Sequence, residues 1–196
     1  MKFDAVVIGG GKAGCEAASH LLDAGLKVCL VSAGLTMDAE GTDPWADNRA
    51  VARRGAVVLR GDAAVSADIQ ADTVLSVRTE CLEDEPLEAR LFILASGKYF
   101  SRGLLSDMER IYEPVFGADV DYIPGRENWY ARDFSAPQPF LAFGVKTDAQ
   151  GRVLLGGKSM KNLYATGDIL AKDAPAADLW LYGGTTRNLK KINGYF

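Results

Sequence analysis

Histidine and cysteine are scarce in this 196-residue chain, and basic residues do not outnumber acidic ones. The single histidine, His20, argues against a Ser-His-Asp or Cys-His catalytic site. We therefore predict no catalytic residue. The three cysteines, Cys15, Cys29 and Cys81, are odd in number and widely spaced, so we expect core residues in a reducing compartment and no metal site. The net charge of −4 argues against nucleic-acid binding.

Long apolar runs are missing as well. The apolar stretch nearest the N-terminus, residues 5–8, is too short for a signal peptide or a membrane span. We therefore expect a cytoplasmic protein without direct membrane insertion, or one held at the inner membrane through a partner. The length suits one sizeable domain covering residues 1–196.

Glycine, in contrast, is abundant, and a glycine-rich turn follows the first predicted strand. Gly9 allows a tight turn, Gly11 lets the backbone approach a pyrophosphate, and Gly14 lets the next helix pack close to the strand. The helix start, at Lys12 and Ala13, offers free N–H groups and about half a positive charge to phosphates. The pattern predicts a dinucleotide-binding βα unit, with a purely structural turn as the alternative.

Hydrophobic periodicity predicts an α/β fold with a mainly parallel sheet and antiparallel hairpins on one face. Together with the glycine-rich turn, which resembles that of dinucleotide-binding proteins, this implies a Rossmann-like FAD/NAD(P)-binding fold. The predicted strands are residues 3–8, 27–32, 56–60, 89–95 and 162–166, and the predicted helices are residues 12–24, 44–54 and a third from about residue 176. We predict hairpins that pair residues 62–69 with 73–80 and residues 140–147 with 152–155. Residues 99–140 form a long aromatic-rich loop, which is more often functional than idle.

Two later motifs point from a dinucleotide to a flavin. Ser96 and Gly97 end a buried strand and resemble the A-T-G turn near the cofactor of two-dinucleotide-fold flavoproteins, while Gly167 and Asp168 resemble the G-D signature of those proteins. The resemblance implies that Gly97 lies near the flavin ring and that Asp168 binds the ribityl chain. The backbone at Val58 is expected to meet the adenine. Each motif alone could be an ordinary turn or helix cap, and the cofactor is FAD or, alternatively, FMN.

Several segments between residues 94 and 147 narrow the family further. A-S-G-K-Y-F-S-R-G-L, E-P-V-F-G, W-Y-A-R-D-F, A-P-Q-P-F and F-G-V occur there in that order, and together they resemble the B subunit of anaerobic glycerol-3-phosphate dehydrogenase. The resemblance implies a flavin-containing protein of a quinone-linked complex, beside a catalytic A subunit and a membrane-anchoring iron–sulfur C subunit. It implies two-electron redox of a small polyol phosphate or electron transfer within the complex.

Arginines flank the aromatic segment and are candidate ligands for a substrate phosphate. Arg102 and Arg132, with Arg126, could form bidentate hydrogen bonds to it, although solvated loop arginines are the ordinary alternative.

The sequence also departs from this family in three places. Its members are considerably longer, and much of a second, substrate domain is absent where only residues 33–43 remain. Ser32 stands where a dinucleotide fold usually has an acidic residue for the ribose hydroxyls, so we expect weaker adenosine binding or FMN. Asp178 would oppose the negative charge of a reduced flavin. All three departures favour one alternative, a non-catalytic flavin-binding or assembly module that has lost turnover. An NAD(P)-binding domain is a second alternative, which the missing acidic residue disfavours.

Overall fold

The computed structural model describes residues 1–34, 45–82 and 84–177. The helices are α1 (Lys12–Asp23) and α2 (Ala46–Arg53). The strands are β1 (Ala5–Ile8), β2 (Val28–Ser32), β3 (Val57–Arg60), β4 (Ala64–Gln70), β5 (Thr73–Thr79), β6 (Leu87–Glu88), β7 (Leu91–Leu94), β8 (Leu105–Ser106), β9 (Ile111–Tyr112), β10 (Val120–Asp121), β11 (Gly144–Val145), β12 (Arg152–Leu155) and β13 (Lys158–Ala165). Most of the loop expected at residues 33–43, most of the helix expected from about residue 176, and Asp178 lie outside the described residues.

The central sheet has the strand order β12-β13-β7-β1-β2-β3. Neighbouring strands from β13 to β3 are parallel, and only β12 runs antiparallel to its neighbour. All residues of β1, β2 and β7 are buried, as expected for parallel strands covered on both faces. The predicted β1-α1-β2 crossover is therefore present, within a residue or two of the expected bounds.

The two faces of the central sheet carry different layers. On one face, α1 and α2 pack Leu21 and Val51 against the sheet residues Val7, Leu30 and Ile93. The other face is covered by the antiparallel sheet β4-β5-β6, whose buried residues Val74, Val77 and Leu87 join Phe92, Leu94 and Leu163 in a second core. The α/β class and the hairpin covering one face of a mainly parallel sheet are confirmed.

The second predicted hairpin forms only in part. Pro139–Ala142 forms a 3-10 helix, since proline fixes its own φ near the helical value and has no N–H to give to a strand. The short strand β11 then pairs with β10, while β12 pairs with β13. The two segments that we expected to pair meet only next to the turn. An isolated bridge joins Thr147 to Val153, and the N–H of Leu154 donates to Lys146 O at 3.0 Å. The last strand is also longer than predicted, because it begins at Lys158.

The aromatic segment expected as a loop is tied to the core. Phe116 and Trp129 are buried in it. Glu113, itself buried, accepts hydrogen bonds from the backbone N–H groups of Val115, Phe116 and Ala118. Burial raises the pKa of the Glu113 carboxyl, and these backbone bonds partly oppose that shift.

The cysteines divide into two environments. Cys15 and Cys29 are buried, as predicted, but Cys81 is exposed and was wrongly predicted to be a core residue. It lies just after the end of β5, so its strand-like surroundings in sequence do not carry it into the core.

Candidate functional site

Three turns lie side by side at the carboxyl end of the parallel sheet. Gly9 follows β1 and donates to Val31 O at 2.9 Å, and Ala95 follows β7 and donates to Ile8 O at 2.8 Å. Thr166 follows β13 and donates to Leu94 O at 3.0 Å. The glycine-rich turn, the Ser96-Gly97 turn and the Gly167-Asp168 turn thus occupy neighbouring strand ends, where α/β sheets bind ligands.

These turns approach one another more closely than a side chain would permit. A Cβ on Gly9, where φ is +115°, would lie 2.1 Å from Ala95 O, and a Cβ on Gly14 would lie 1.7 Å from Gly9 O. A Cβ on Gly167, where φ is +77°, would lie 2.5 Å from the Cβ of Ala13. The first and last turns, far apart in sequence, are therefore in direct contact.

The N-terminus of α1 is open to an anion. Gly11 is its N-cap, no side chain caps the helix, and no acidic residue lies in its first turn. The early N–H groups of a helix have no partners within the helix. Lys12 is exposed at this end. Together with the glycine cradle, these features fit the phosphates of a nucleotide.

The Ser96-Gly97 turn is tied to the 3-10 helix Pro139–Ala142 through Lys98, a residue to which no role was assigned from the sequence. Its Nζ donates to Leu141 O at 2.6 Å. Burial lowers the pKa of Lys98, and the negative charge of Asp168 partly opposes that shift, so the Ser96-Gly97 and Gly167-Asp168 turns are linked electrostatically as well. Nearby, the Tyr99 hydroxyl donates to Phe140 O at 3.3 Å, and burial raises the pKa of Tyr99 to about 12.

Ser96 has an unsatisfied hydroxyl at this turn. Its Oγ is buried and has no hydrogen-bond partner among the described residues. A hydroxyl can both donate and accept, so this orphaned group suits a site that receives a polar ligand.

Ser32, at the end of β2, is 2% exposed and lies against Gly10. A Cβ on Gly10 would be 2.0 Å from Ser32 Oγ and 3.0 Å from Asn48 Oδ1. Neither Gly10 nor Asn48 was predicted to belong to the site. Gly10 falls between the fingerprint glycines, and a single asparagine in a short polar helix gives no sequence signal of burial.

The remaining predicted residues lie farther from these contacts or at the surface. Val58 pairs with Leu30 in the middle of β3 and packs toward the helix layer. Arg102 is exposed, with φ +62°, in the turn after Gly97. Arg132 is exposed on the aromatic segment, and Arg126 Nη1 contacts Met108 Sδ at 3.0 Å.

Neither a metal centre nor a membrane span occurs in the described parts of the chain. Across residues 1–34, 45–82 and 84–177, no cluster of three histidine, cysteine or acidic side chains could hold a metal ion. No helix in these ranges has the length and apolar character to cross a bilayer.

Comparison with known families decides which nucleotide suits the site. The family model described as FAD binding domain matches residues 40–178, more than half of the chain. The chain belongs to the FAD-binding domain family. FAD is therefore the cofactor that the family supports, ahead of FMN, and the expected Rossmann-like FAD-binding fold is confirmed. A second model, described as glucose inhibited division protein A, matches residues 4–58.

Individual relatives of this FAD-binding chain agree with the resemblance found in its sequence. The B subunit of anaerobic glycerol-3-phosphate dehydrogenase from Actinobacillus succinogenes is 43% identical over 123 residues, which are 60% of this chain and 29% of that protein. The protein of the same name from Haemophilus influenzae is 40% identical over 121 residues, 59% of this chain and 28% of its own length. The matches thus span less than a third of these relatives. Among solved structures, an oxidoreductase from Agrobacterium tumefaciens is 25% identical with a TM-score of 0.36, covering 50% of this chain and 37% of that one.

Proposed function

We propose that this chain forms the FAD-holding part of a dehydrogenase of the anaerobic glycerol-3-phosphate dehydrogenase type. The contact between Gly167 and Ala13 carries the proposal, because it brings the G-D turn against the start of α1. A flavin dinucleotide is a long ligand, with phosphates in its middle and a ring at one end. Two turns that meet at the carboxyl end of the sheet can bind adjacent parts of this ligand.

The division of the site follows the order of the strands. The glycine-rich turn and the first N–H groups of α1 bind the pyrophosphate, the G-D turn binds the ribityl chain, and the turn after β7 faces the ring. The β2–β3 side faces the adenosine. The residues assigned to FAD are Gly9, Gly11, Lys12, Ala13, Gly14, Ser32, Val58, Ser96, Gly97, Gly167 and Asp168. The bound flavin supplies two-electron redox chemistry, and the chain binds and orients it.

Substrate and partners follow from the relatives. We assign a small polyol phosphate as substrate, with Arg102 and Arg132 as candidate phosphate ligands. Of the two, Arg102 has the stronger support, because its turn follows closely after Gly97. The relatives are B subunits, so the proposal includes work beside a catalytic A subunit and a membrane-anchoring C subunit.

Flavin binding is tested first by the absorbance spectrum of the purified protein. Visible flavin bands that survive gel filtration, or that are restored by added FAD, support the proposal. Gly11→Val should abolish uptake while the circular dichroism spectrum is retained, because its side chain occupies the phosphate position. The control Ala46→Val places the same side chain at the exposed start of α2 and should bind FAD normally. A wild-type protein that takes up no flavin would overturn the proposal, as would undiminished uptake by Gly11→Val.

Turnover is tested separately, since the matches cover only part of each relative. The FAD-loaded protein is mixed with glycerol 3-phosphate in the absence of oxygen and of any quinone, with and without the proposed partner proteins, and flavin bleaching is followed. Bleaching supports the dehydrogenase. Retained flavin that never bleaches in either mixture favours the non-catalytic flavin-binding module.

A further inference from the structure

Asn48 joins α2 to the glycine-rich turn. The side chain is 1% exposed, and its Nδ2 donates to Gly10 O at 2.7 Å. Nδ2 also lies 3.4 Å from the sulfur of Cys15, which is itself 3.4 Å from Gly10 O. The carbonyl of Gly10 is thus held by one residue from each helix of the layer.

The amide of Asn48 is not a fully satisfied core group. Its Oδ1 is buried, and no described residue gives it a hydrogen bond. A buried acceptor without a partner lowers stability, and an apolar side chain of the same size would avoid that cost. The benefit of an asparagine here therefore lies in its donor, which is directed at Gly10.

Holding the Gly10 carbonyl also orients the N–H that follows it. The peptide bond is planar and trans, so the C=O of Gly10 and the N–H of Gly11 belong to one rigid unit and point in opposite directions. With the carbonyl drawn toward Asn48 and the helices, the Gly11 N–H points the other way. Gly11 is the N-cap of α1, where the phosphates are assigned.

We propose that Asn48 is a positioning residue for the pyrophosphate of FAD, which it serves by fixing the Gly10–Gly11 peptide. The inference rests on the proposed function, but it assigns a role to a residue outside the fingerprint. Asn48 contacts the turn and not the ligand. Its loss should therefore weaken FAD binding without removing any phosphate donor.

A second buried asparagine provides a matched control. Asn162, on β13, donates to Val74 O at 2.8 Å and accepts from Val74 N at 2.9 Å, which ties the central sheet to β5. It too binds backbone groups through its amide, but it lies on the opposite face of the sheet from the helices. Asn162→Leu should lower the thermal midpoint and leave FAD affinity unchanged.

The experiment measures FAD affinity by fluorescence quenching and the thermal midpoint without FAD. We expect Asn48→Leu, and likewise Asn48→Ala, to weaken FAD binding about tenfold, the loss that one net hydrogen bond corresponds to. Asn48→Leu, which removes the orphaned acceptor, should unfold within a few degrees of wild type. Replacing Asn48 by leucine should thus weaken FAD binding and leave stability nearly unchanged. Replacing Asn162 by leucine should lower stability and leave FAD binding unchanged.

The outcomes distinguish this inference from the proposed function. If the wild type binds FAD and both folded Asn48 variants bind it within twofold of wild type, the positioning role is refuted. Equal affinity losses in Asn48→Leu and Asn162→Leu would also refute it, because the effect would then be general loosening. If neither Asn48 variant folds, Asn48 is a structural residue and the inference fails. A wild type that binds no flavin removes the proposed function and this inference together.

Discussion

Replacing Gly167 with alanine should destabilise the protein more than the same replacement at Gly157. The two glycines have nearly the same backbone conformation, with φ of +77° and +76°. A Cβ at Gly167 would meet the Cβ of Ala13 at 2.5 Å, whereas a Cβ at Gly157 would meet nothing within 4 Å. The pair therefore separates backbone strain from the contact between the first and last turns.

The expected sizes follow from these two contributions. An alanine forced into the left-handed region costs about 1–2 kcal/mol, and this cost applies at both positions. Overpacking by one methyl group against Ala13 adds about 1–3 kcal/mol at Gly167 alone. The free energy of unfolding should therefore fall by about 1–2 kcal/mol for Gly157→Ala and by about 2–5 kcal/mol for Gly167→Ala.

Urea denaturation of the flavin-free protein measures both losses, provided that the m-values stay equal. Adding Ala13→Gly to Gly167→Ala removes the opposing methyl group and should recover the overpacking cost as a coupling energy of about 1–3 kcal/mol. Ala13→Gly alone, which costs about 1 kcal/mol of helix propensity, closes the cycle. Equal losses at Gly157 and Gly167 with zero coupling would refute the contact between the two turns.

Three further predictions concern titratable groups. The raised pKa of Glu113 means that the folded protein holds this proton more tightly than the unfolded chain, so stability should fall as pH rises above about 4.3. Glu113→Gln should remove this pH dependence when the free energy of unfolding is measured from acid to neutral pH. An unchanged pH dependence would assign it to other groups. Asp168→Asn should lower the pKa of Lys98 further, because the opposing charge is lost. NMR titration of the labelled lysine measures this pKa, and an unchanged value would refute the electrostatic link between the two turns. Cys81 should react with a thiol reagent in the native protein, while the other two cysteines, whose burial raises their pKa to about 11 and about 12, should react only on unfolding; protection of Cys81 would contradict its exposure.

Much of the fold was predictable, because its strongest signals are local. Alternation of apolar residues marks β4 and β5, and the apolar runs of β1, β2 and β7 mark strands covered on both faces. The glycine directly after β1, Gly9, has a positive φ that glycine adopts readily, so the sequence itself indicates a turn there. These elements were predicted within a few residues of their observed bounds.

Strand pairing was less predictable, as the segment after Pro139 illustrates. The predicted turn at residues 148–151 does bring Thr147 against Val153, but β11, just before that turn, pairs with β10, which lies well before it in the chain. A stronger signal was overlooked at Gly156 and Gly157, both of which have positive φ between β12 and β13. Two such glycines between apolar runs are typical of a tight hairpin turn, and this one extends β13 back to Lys158.

The sequence by itself determined the local chemistry of this protein: a glycine-rich turn that can receive phosphate, a G-D turn, and strands apolar enough to be buried. Only the tertiary structure decided which residues meet, because contacts between Gly167 and Ala13, or between Asn48 and Gly10, depend on how strands distant in sequence order themselves in one sheet. Propensity and periodicity act over a few residues, whereas these contacts depend on packing across the whole domain. A buried asparagine on a short polar helix becomes recognisable only once that packing is known.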